Sequence, residues 1–538
     1  MRNSESVDVP SGAQAGGARS FMQSCCAMLG LSSVVMMVAI DQTVVGTALP
    51  TIVSELKGFD LYAWVATAYL LTSVITVPIF GRLGDWFGRK PLIVVAIVLF
   101  TGASALCGMA SSMTTLVIYR ALQGIGGGML VGTCFASIPD LFPDPVVRLR
   151  WQILFSSAFG VANAIGPSLG GFLSSHYGWR AAFFVNLPVG AVSLFMTAFF
   201  LPHIRHDHPG ILRPDWRGAA WIAVTLGALQ MLVEALGSHG LTVTAGVDAA
   251  VFLVAATLLV REERRAVQPM LPPVLLRDRA MMVLLLLSLS MGIAMFALLF
   301  YVPLLLQGGM GLSAEQAGMA VTPLVVCITV GTIANTRIVT RIERPNRLLY
   351  AGFALLALSC AGIACVPAQR AGLPMSVAML LGGVGIGLVM PNLTVFAQQV
   401  AGKKQLGIAT ALVQSARMVG GMLGTAVVGT LSHALYRAHL ATELGAHGQS
   451  LSGLLAPLGD PQVLLESGAA PHVADGAGAL SAALAPWIAI AREALCFGVQ
   501  HAILCIGAVM VLTCWLVRHL PFIKVAALTD GQRHGALD

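Results

Sequence analysis

Asp41 and Arg120 are two residues in this chain at which charge is set where charge is costly. Asp41 lies within the apolar run 24–49 and is the only acid well inside such a run, and Arg120 lies a few residues inside the run 114–137. A charged Asp at the centre of a membrane costs at least about 2.5–3.5 kcal/mol on insertion scales, so Asp41 is expected to face a cavity or a partner. Such a carboxylate can take up and release a proton, and a structural Asp that hydrogen-bonds near a helix end is the other reading. Arg120 cannot lose its charge. It either acts as a fixed cation that biases Asp41 or extends its head toward the nearer interface.

A second group of residues combines glycine with charge: Gly81-Arg82-Leu83-Gly84-Asp85-Trp86-Phe87-Gly88-Arg89-Lys90. Glycines here are expected to allow a tight turn between two helix ends. Asp85 is expected to pair with Arg89 and to cap a neighbouring helix N-terminus, where the macrodipole favours negative charge. Such a pairing is a conformational latch. A third group, Gly166, Pro167, Gly170 and Gly171, sits inside an apolar run, where proline frees a backbone carbonyl and glycine permits close packing. Gln123, Asn163, Asn392 and Arg417 are further polar residues inside apolar runs, and candidates to line a cavity.

These residues are positioned by membrane-spanning helices. The 538 residues are 57% hydrophobic and 10% charged, against about 25% charged in an ordinary globular domain. A soluble fold of this size needs a charged surface that these residues cannot supply. About twenty apolar residues cross a hydrocarbon core of roughly 30 Å as a helix. Runs of that kind fall near 24–49, 62–81, 91–110, 114–137, 151–174, 180–201, 217–237, 243–260, 281–305, 315–336, 347–366, 374–397, 407–432 and 497–519. That makes an all-α integral membrane protein with fourteen spans. The stretch 477–495 reads as an amphipathic surface helix, and 433–496 as a long external loop that either forms a hairpin or surface helix over the outer mouth or is mobile.

Orientation follows from the basic residues. With a cytoplasmic N-terminus, 24 of the 31 Lys and Arg fall in inside segments, and five (Lys57, Arg180, Arg370, Arg437 and Arg492) fall outside. Both termini are therefore expected in the cytoplasm. The net charge of +7 is spread over short inter-span segments, a topogenic pattern and not a nucleic-acid surface. The ten cysteines include no C-x-x-C pair, and no His cluster has zinc spacing, so neither a disulfide framework nor a metal site is expected. Residues 1–23 lack the basic-then-apolar order of a cleaved signal peptide and read as a tail.

The chain also repeats itself. The glycines after Arg120 (Gly124, Gly126 and Gly128) recur about 258 residues later in Gly382–Gly387, and Gly166 and Gly170 recur 254 residues later as Gly420 and Gly424. A near-constant offset in two motif pairs indicates a duplicated six-helix unit, with the seventh and eighth spans inserted between the copies. The expected divisions are a tail at 1–23, a six-helix bundle at 24–201, a two-helix insertion at 202–280, a second six-helix bundle at 281–519 and a tail at 520–538. Repeats of this kind place a substrate site between them near the midplane.

The Gly81–Lys90 segment resembles the signature loop of the major facilitator superfamily at its glycines, acid and bases. Asp41-Gln42-Thr43 with Leu49-Pro50, Arg120 with Gln123-Gly124, Gly166-Pro167 with Gly170-Gly171, Gly178-Trp179-Arg180 and Asn186-Leu187-Pro188 narrow the likeness. Together they resemble the fourteen-spanner drug:proton antiporters of the EmrB/QacA subfamily, over about residues 24–432 and more loosely through the last span. Arg417 matches a similar position in relatives. Two departures stand out: Gly46, where many relatives have Asn, and the absence of a carboxylate in the thirteenth span, which some relatives use for cationic drugs.

The resemblance implies a major facilitator fold in a bacterial inner membrane and export of amphipathic or cationic organic compounds by proton antiport, with the glycine–proline motif marking exporters. A dedicated transporter of an endogenous metabolite, siderophore or natural product is the alternative. The expected partners are the bilayer, protons and a small organic substrate. A periplasmic adaptor with an outer-membrane channel is left open. No cofactor is expected beyond the proton gradient, and the sequence contains no G-x-x-x-x-G-K-[ST] phosphate loop. A membrane-embedded enzyme would need clustered His or carboxylates in the spans. Glu234, Asp248 and Glu315 read as solvated residues at outer span ends.

Overall fold

A computed structural model describes residues 21–142, 145–202, 215–239, 242–266, 273–339, 342, 344–367, 372–402, 406–446, 458–469 and 478–521. The two expected tails lie almost wholly outside them. Fourteen long helices occur among the described residues: α1 Phe21–Leu56, α2 Tyr62–Phe87, α3 Arg89–Gly108, α4 Met113–Leu141, α5 Pro145–His176, α6 Asn186–Phe200, α7 Trp216–His239, α8 Val243–Arg265, α9 Arg279–Leu304, α10 Ala314–Ile338, α11 Asn346–Ala364, α12 Gly372–Ala401, α13 Leu406–Ala446 and α14 Gly478–Val517.

Among the described residues, twelve helical segments are long and apolar enough to cross a membrane. They correspond to every long helix except α4 and α5. Those two are long enough, at 29 and 32 residues. Part of each lies outside the residues whose side chains are described: 135–136 and 139–140 in α4, and 145–150, 152–154 and 156–157 in α5. The chain is a multi-span membrane protein of helices. A backbone in hydrocarbon must satisfy its own polar groups, and helices do this within one segment.

Helix starts follow local chemistry. Ser112 and Ser313 form capping boxes with Thr115 and Gln316, and the Asp278 carboxylate accepts from the Met281 amide at 2.9 Å. These caps satisfy amides that the first helical turn leaves without partners. The α2–α3 connection corrects the expected loop. Helix α2 runs through Gly81, Gly84 and Asp85 to Phe87, α3 starts at Arg89, and only Gly88 lies between them, at φ 80°. Gly88 alone therefore supplies the turn, in a conformation that side chains avoid. Gly84 instead gives close approach, since a Cβ there would meet Thr133 of α4 at 3.6 Å and the Arg89 stem at 3.3 Å. Gly81 is similar, its nearest neighbour being the Gly132 carbonyl. The side chain of Asp85 lies outside the described residues.

The expected long loop 433–496 is corrected as well. Helix α13 continues to Ala446 and α14 already begins at Gly478. Between them the described residues include a short helix, Gln462–Ala469. Leu464 and Leu465 of that helix are buried, and the Gly58 amide donates to Gln462 Oε1 at 2.7 Å. The stretch 477–495 is part of α14.

Helix packing repeats across the chain. The pairs α1–α5, α2–α4, α3–α4 and α3–α6 have counterparts in α9–α13, α10–α12, α11–α12 and α11–α14. Helices α7 and α8 pack as a pair, and α7 also lies against α2 and α13. The Trp64 indole donates to Glu234 at 2.6 Å, tying α7 to α2. Glu234 is thus half-buried and hydrogen-bonded, not simply solvated as its position near a helix end suggested.

Contacts between α1–α6 and α9–α14 gather at the face marked by the α1–α2 turn. Gln307 Nε2 donates to Thr47 O at 2.9 Å and Thr51 Oγ1 donates to Gln307 Oε1 at 3.3 Å. Gln307 sits on a π-helical turn, Leu305–Gly309, that follows α9. Tyr62 donates to Phe300 O at 2.7 Å, Thr67 meets Thr425 at 3.1 Å, and Ser168 meets Thr322 at 2.6 Å. Gly46 belongs to the same seam, since a Cβ there would lie 2.8 Å from Leu299 O. An Asn at this position would not fit the present packing of α1 on α9.

Candidate functional site

The two costly charges meet. Arg120 Nη1 donates to Asp41 Oδ2 at 2.7 Å, and the two side chains are 1% and 0% exposed. They are 79 residues apart in sequence and are brought together by the packing of α1 on α4. Arg120 therefore does not extend to an interface.

Neighbouring helices also hold Asp41 Oδ1 and Arg120 Nε. Gln123, one helical turn after Arg120, donates to Asp41 Oδ1 at 2.8 Å and accepts from Arg120 Nη1 at 2.7 Å. Asn186 of α6 donates to Asp41 Oδ1 at 3.2 Å and to Ser104 Oγ of α3 at 3.0 Å. Ser104 in turn donates to Phe183 O at 2.9 Å. Arg120 Nε donates to Val65 O of α2 at 3.3 Å, and its guanidinium lies 4.4 Å from the centre of the Tyr69 ring. Five helices thus converge on one neutral pair. Breaking such a pair strands a charge in a dry interior, whereas the intact pair is electrically closed.

The arrangement holds the ionised carboxylate of Asp41 through three donors, two on Oδ1 and one on Oδ2. A proton arriving at Asp41 would remove the charge that faces Arg120. It would also turn one acceptor oxygen into a donor among donors. The cluster therefore cannot keep its geometry on protonation. Helix α1 continues 15 residues beyond Asp41, to Leu56, or about 22 Å at 1.5 Å per residue. The carboxylate is thus deeper than the run ending at residue 49 suggested.

The glycine–proline group of α5 lies at two contacts. Gly166 and Gly170 face α1, where a Cβ at Gly170 would lie 2.6 Å from Val44 O and one at Gly166 would strike the Thr43 hydroxyl. Gly171 faces Ala314 O of α10, and Gly318 of α10 faces Pro167 O. This segment therefore joins the first set of helices to the second.

The other polar candidates are placed apart from Asp41, with the exception of Gln123. Asn163 is half-buried and donates to Phe159 O at 3.1 Å. Asn392 is buried and donates to Asn335 Oδ1 of α10 at 2.7 Å. Arg417 is buried on α13 and bonds Gln414. Asn186, Ser104 and Tyr69 received no role from the sequence. A polar residue inside an apolar run was the available signal for the first two.

The matching family model is that of the Major Facilitator Superfamily, over residues 31–425. The chain belongs to the Major Facilitator Superfamily. Among curated relatives of this superfamily member, the multidrug transporter protein MdtP of Bacillus subtilis is 32% identical, over 80% of this chain and 81% of that protein. Multidrug resistance protein 3 of the same organism is 29% identical, over 83% and 87% of the two chains. The crystal structure of a bacterial homologue of the human lysosomal transporter Spinster, inward-facing and unoccupied, matches with a TM-score of 0.65. It covers 93% of this chain and 98% of that one at 15% identity, a likeness of fold.

Proposed function

We propose that this chain is a secondary transporter that exports amphipathic organic compounds in exchange for protons, by alternating access between two six-helix bundles, α1–α6 and α9–α14. The observation that carries this reading is the sealed Asp41–Arg120 pair. A carboxylate with no exposure, locked by three donors, is a group whose protonation must rearrange the helices around it. Protonation frees Arg120 from Asp41, loosens α1 from α4 and α6, and so ties proton entry to motion of the first bundle. The multidrug names of both Bacillus relatives support a drug-like cargo. A membrane potential on the order of 150 mV supplies about 3.5 kcal/mol per proton, enough to sustain a gradient of a few hundredfold for a neutral compound.

In this reading α4 and α5 also span, giving fourteen crossings of a bacterial inner membrane with both termini cytoplasmic. The α1–α2 face is then external, and the contacts gathered there describe a conformer closed to the outside. Reporter fusions placed at 447–457 should read as external and those after residue 525 as internal. An external C-terminal reporter would reverse the assignment. The Gly81–Lys90 segment lies at the cytoplasmic face, and we assign it to switching. Asp85→Asn is expected to slow transport while substrate affinity stays within severalfold, and normal turnover in that variant would remove the latch role.

The experiment that tests the function uses purified protein in proteoliposomes with an imposed pH gradient and the fluorescent compound ethidium as cargo. Uphill ethidium movement is expected only while the gradient lasts. Collapse of the gradient by a protonophore should cut the rate at least about tenfold. Transport that ignores the protonophore would exclude proton antiport.

A further inference from the structure

Arg417 is a second buried cation, and among the described residues it has no acid beside it. It is 7% exposed, and among the described residues its side-chain partner is Gln414, one helical turn earlier on α13. Among the described residues, the buried charged ones are Asp41, Arg120, Glu263 and Arg417. Asp41 and Arg120 neutralise each other, and Glu263 lies on α8, outside the two bundles. A guanidinium desolvated to this degree is costly unless an anion meets it. The nitrogens not bonded to Gln414 are not sealed off, because none is among the wholly buried side-chain atoms that lack a partner.

Its placement is also informative. Arg417 stands 254 residues after Asn163, the same offset that relates Gly420 to Gly166 and Gly424 to Gly170. The equivalence holds in the packing. Gly166 and Gly170 seat α5 on α1, while Gly420 and Gly424 seat α13 on α9. Thr410, seven residues before Arg417 and on nearly the same helical face, accepts from Gln398 of α12 at 2.9 Å. Thr425, eight residues after it, meets Thr67 of α2 at 3.1 Å. Gln414 lies between Thr410 and Thr425 around the helix, so Arg417 reaches the seam between α12 of one bundle and α2 of the other through the residue it bonds. It does so 11 residues into α13, or about 16 Å from that helix's start.

We propose that Arg417, oriented by Gln414, is where an acidic group of the transported compound docks, so that the cargo includes amphipathic anions such as carboxylates and phenolates. This rests on the export reading above and narrows its substrate class. The absence of any carboxylate in α13 from Leu406 to Leu440 fits an anion and not a dication at this seam. Asn163, the counterpart in the first bundle, is neutral, so the charge selection is carried by one bundle.

Fluorescein and rhodamine 123 share a xanthene frame and carry opposite charge, which makes them suitable probes. Binding is followed by fluorescence polarisation with the full chain in nanodiscs of zwitterionic lipid. Fluorescein is expected to bind the wild type and to lose about tenfold or more in affinity with Arg417→Gln, as loss of a charge-assisted hydrogen bond implies. Arg417→Lys keeps the charge and should stay within about threefold of the wild type. Rhodamine 123 should bind Arg417→Gln at least as well as the wild type. A parallel set of nanodiscs containing phosphatidylglycerol separates the two sources of an acidic group, since a headgroup occupant would compete with fluorescein. Failure of fluorescein to bind the wild type, or equal weakening of both dyes by Arg417→Gln, would overturn the proposal. Proton-driven rhodamine 123 export together with either result would leave the export reading standing and remove only the anion site.

Discussion

Replacing Arg120 by Gln with Asp41 in place is expected to be among the most damaging single changes in this chain, costing about 3–5 kcal/mol of stability by stranding a buried carboxylate. Asp41→Asn strands the guanidinium instead and should cost a similar amount. The double variant Asp41→Asn/Arg120→Gln removes both charges and leaves neutral amides that can hydrogen-bond to Gln123 and Asn186, so most of the lost stability should return. Export should not return with it, because no carboxylate then remains at the point where α1, α4 and α6 meet. Thermal unfolding in detergent measures the first effect, and proteoliposome transport under an imposed pH gradient measures the second. A folded double variant that drives uphill export at the wild-type rate would show that Asp41 is structural and that coupling lies elsewhere.

Gly171→Val is expected to disrupt the other sensitive contact, the join of α5 to α10. A Cβ at Gly171 would collide with Ala314 O and sit 3.0 Å from the Glu315 Cα, both backbone atoms that cannot swing aside. Overpacking of about 1–3 kcal/mol would change the population of the conformer closed at this face by roughly fivefold to 150-fold. The distance between spin labels at Tyr177→Cys and Leu373→Cys, in a cysteine-depleted background, should lengthen and broaden. Both positions are well exposed at this face, so the labels themselves are tolerated. Gly102→Val is the control, since nothing lies within 4 Å of the Cβ it would add. Unchanged label distances in Gly171→Val would show that the contact does not hold the closed face.

The readable parts of this protein were those governed by local chemistry. Apolar runs mark helices because a chain in hydrocarbon has few other ways to satisfy its backbone, and the run 281–305 corresponds to the helix Arg279–Leu304. Glycine was the main source of error. Gly81, Gly84 and Gly88 look equivalent on paper, yet only Gly88 turns the chain while the other two lie within α2. The stretch 433–496 stayed open between helix and loop, because sparse charge and many Ala, Gly and Ser are as compatible with the ends of long helices as with a loop.

The candidate site was half legible. Asp41 and Arg120 each stood out as a charge in an apolar run, but nothing in their spacing says that they touch. Asn186, which completes the cage around Asp41, has the same sequence context as Asn163, which bonds only its own helix. By itself the sequence determined a multi-span helical membrane protein, a duplicated pattern and the few residues whose burial needs an explanation, because these follow from transfer cost and from repeat offsets. Only the tertiary structure decided which charges neutralise each other, which glycines are contact points and which cation is left without an acid. A helix that is apolar on all sides carries little information about which face meets which neighbour, so those pairings arise from packing between segments distant in the chain.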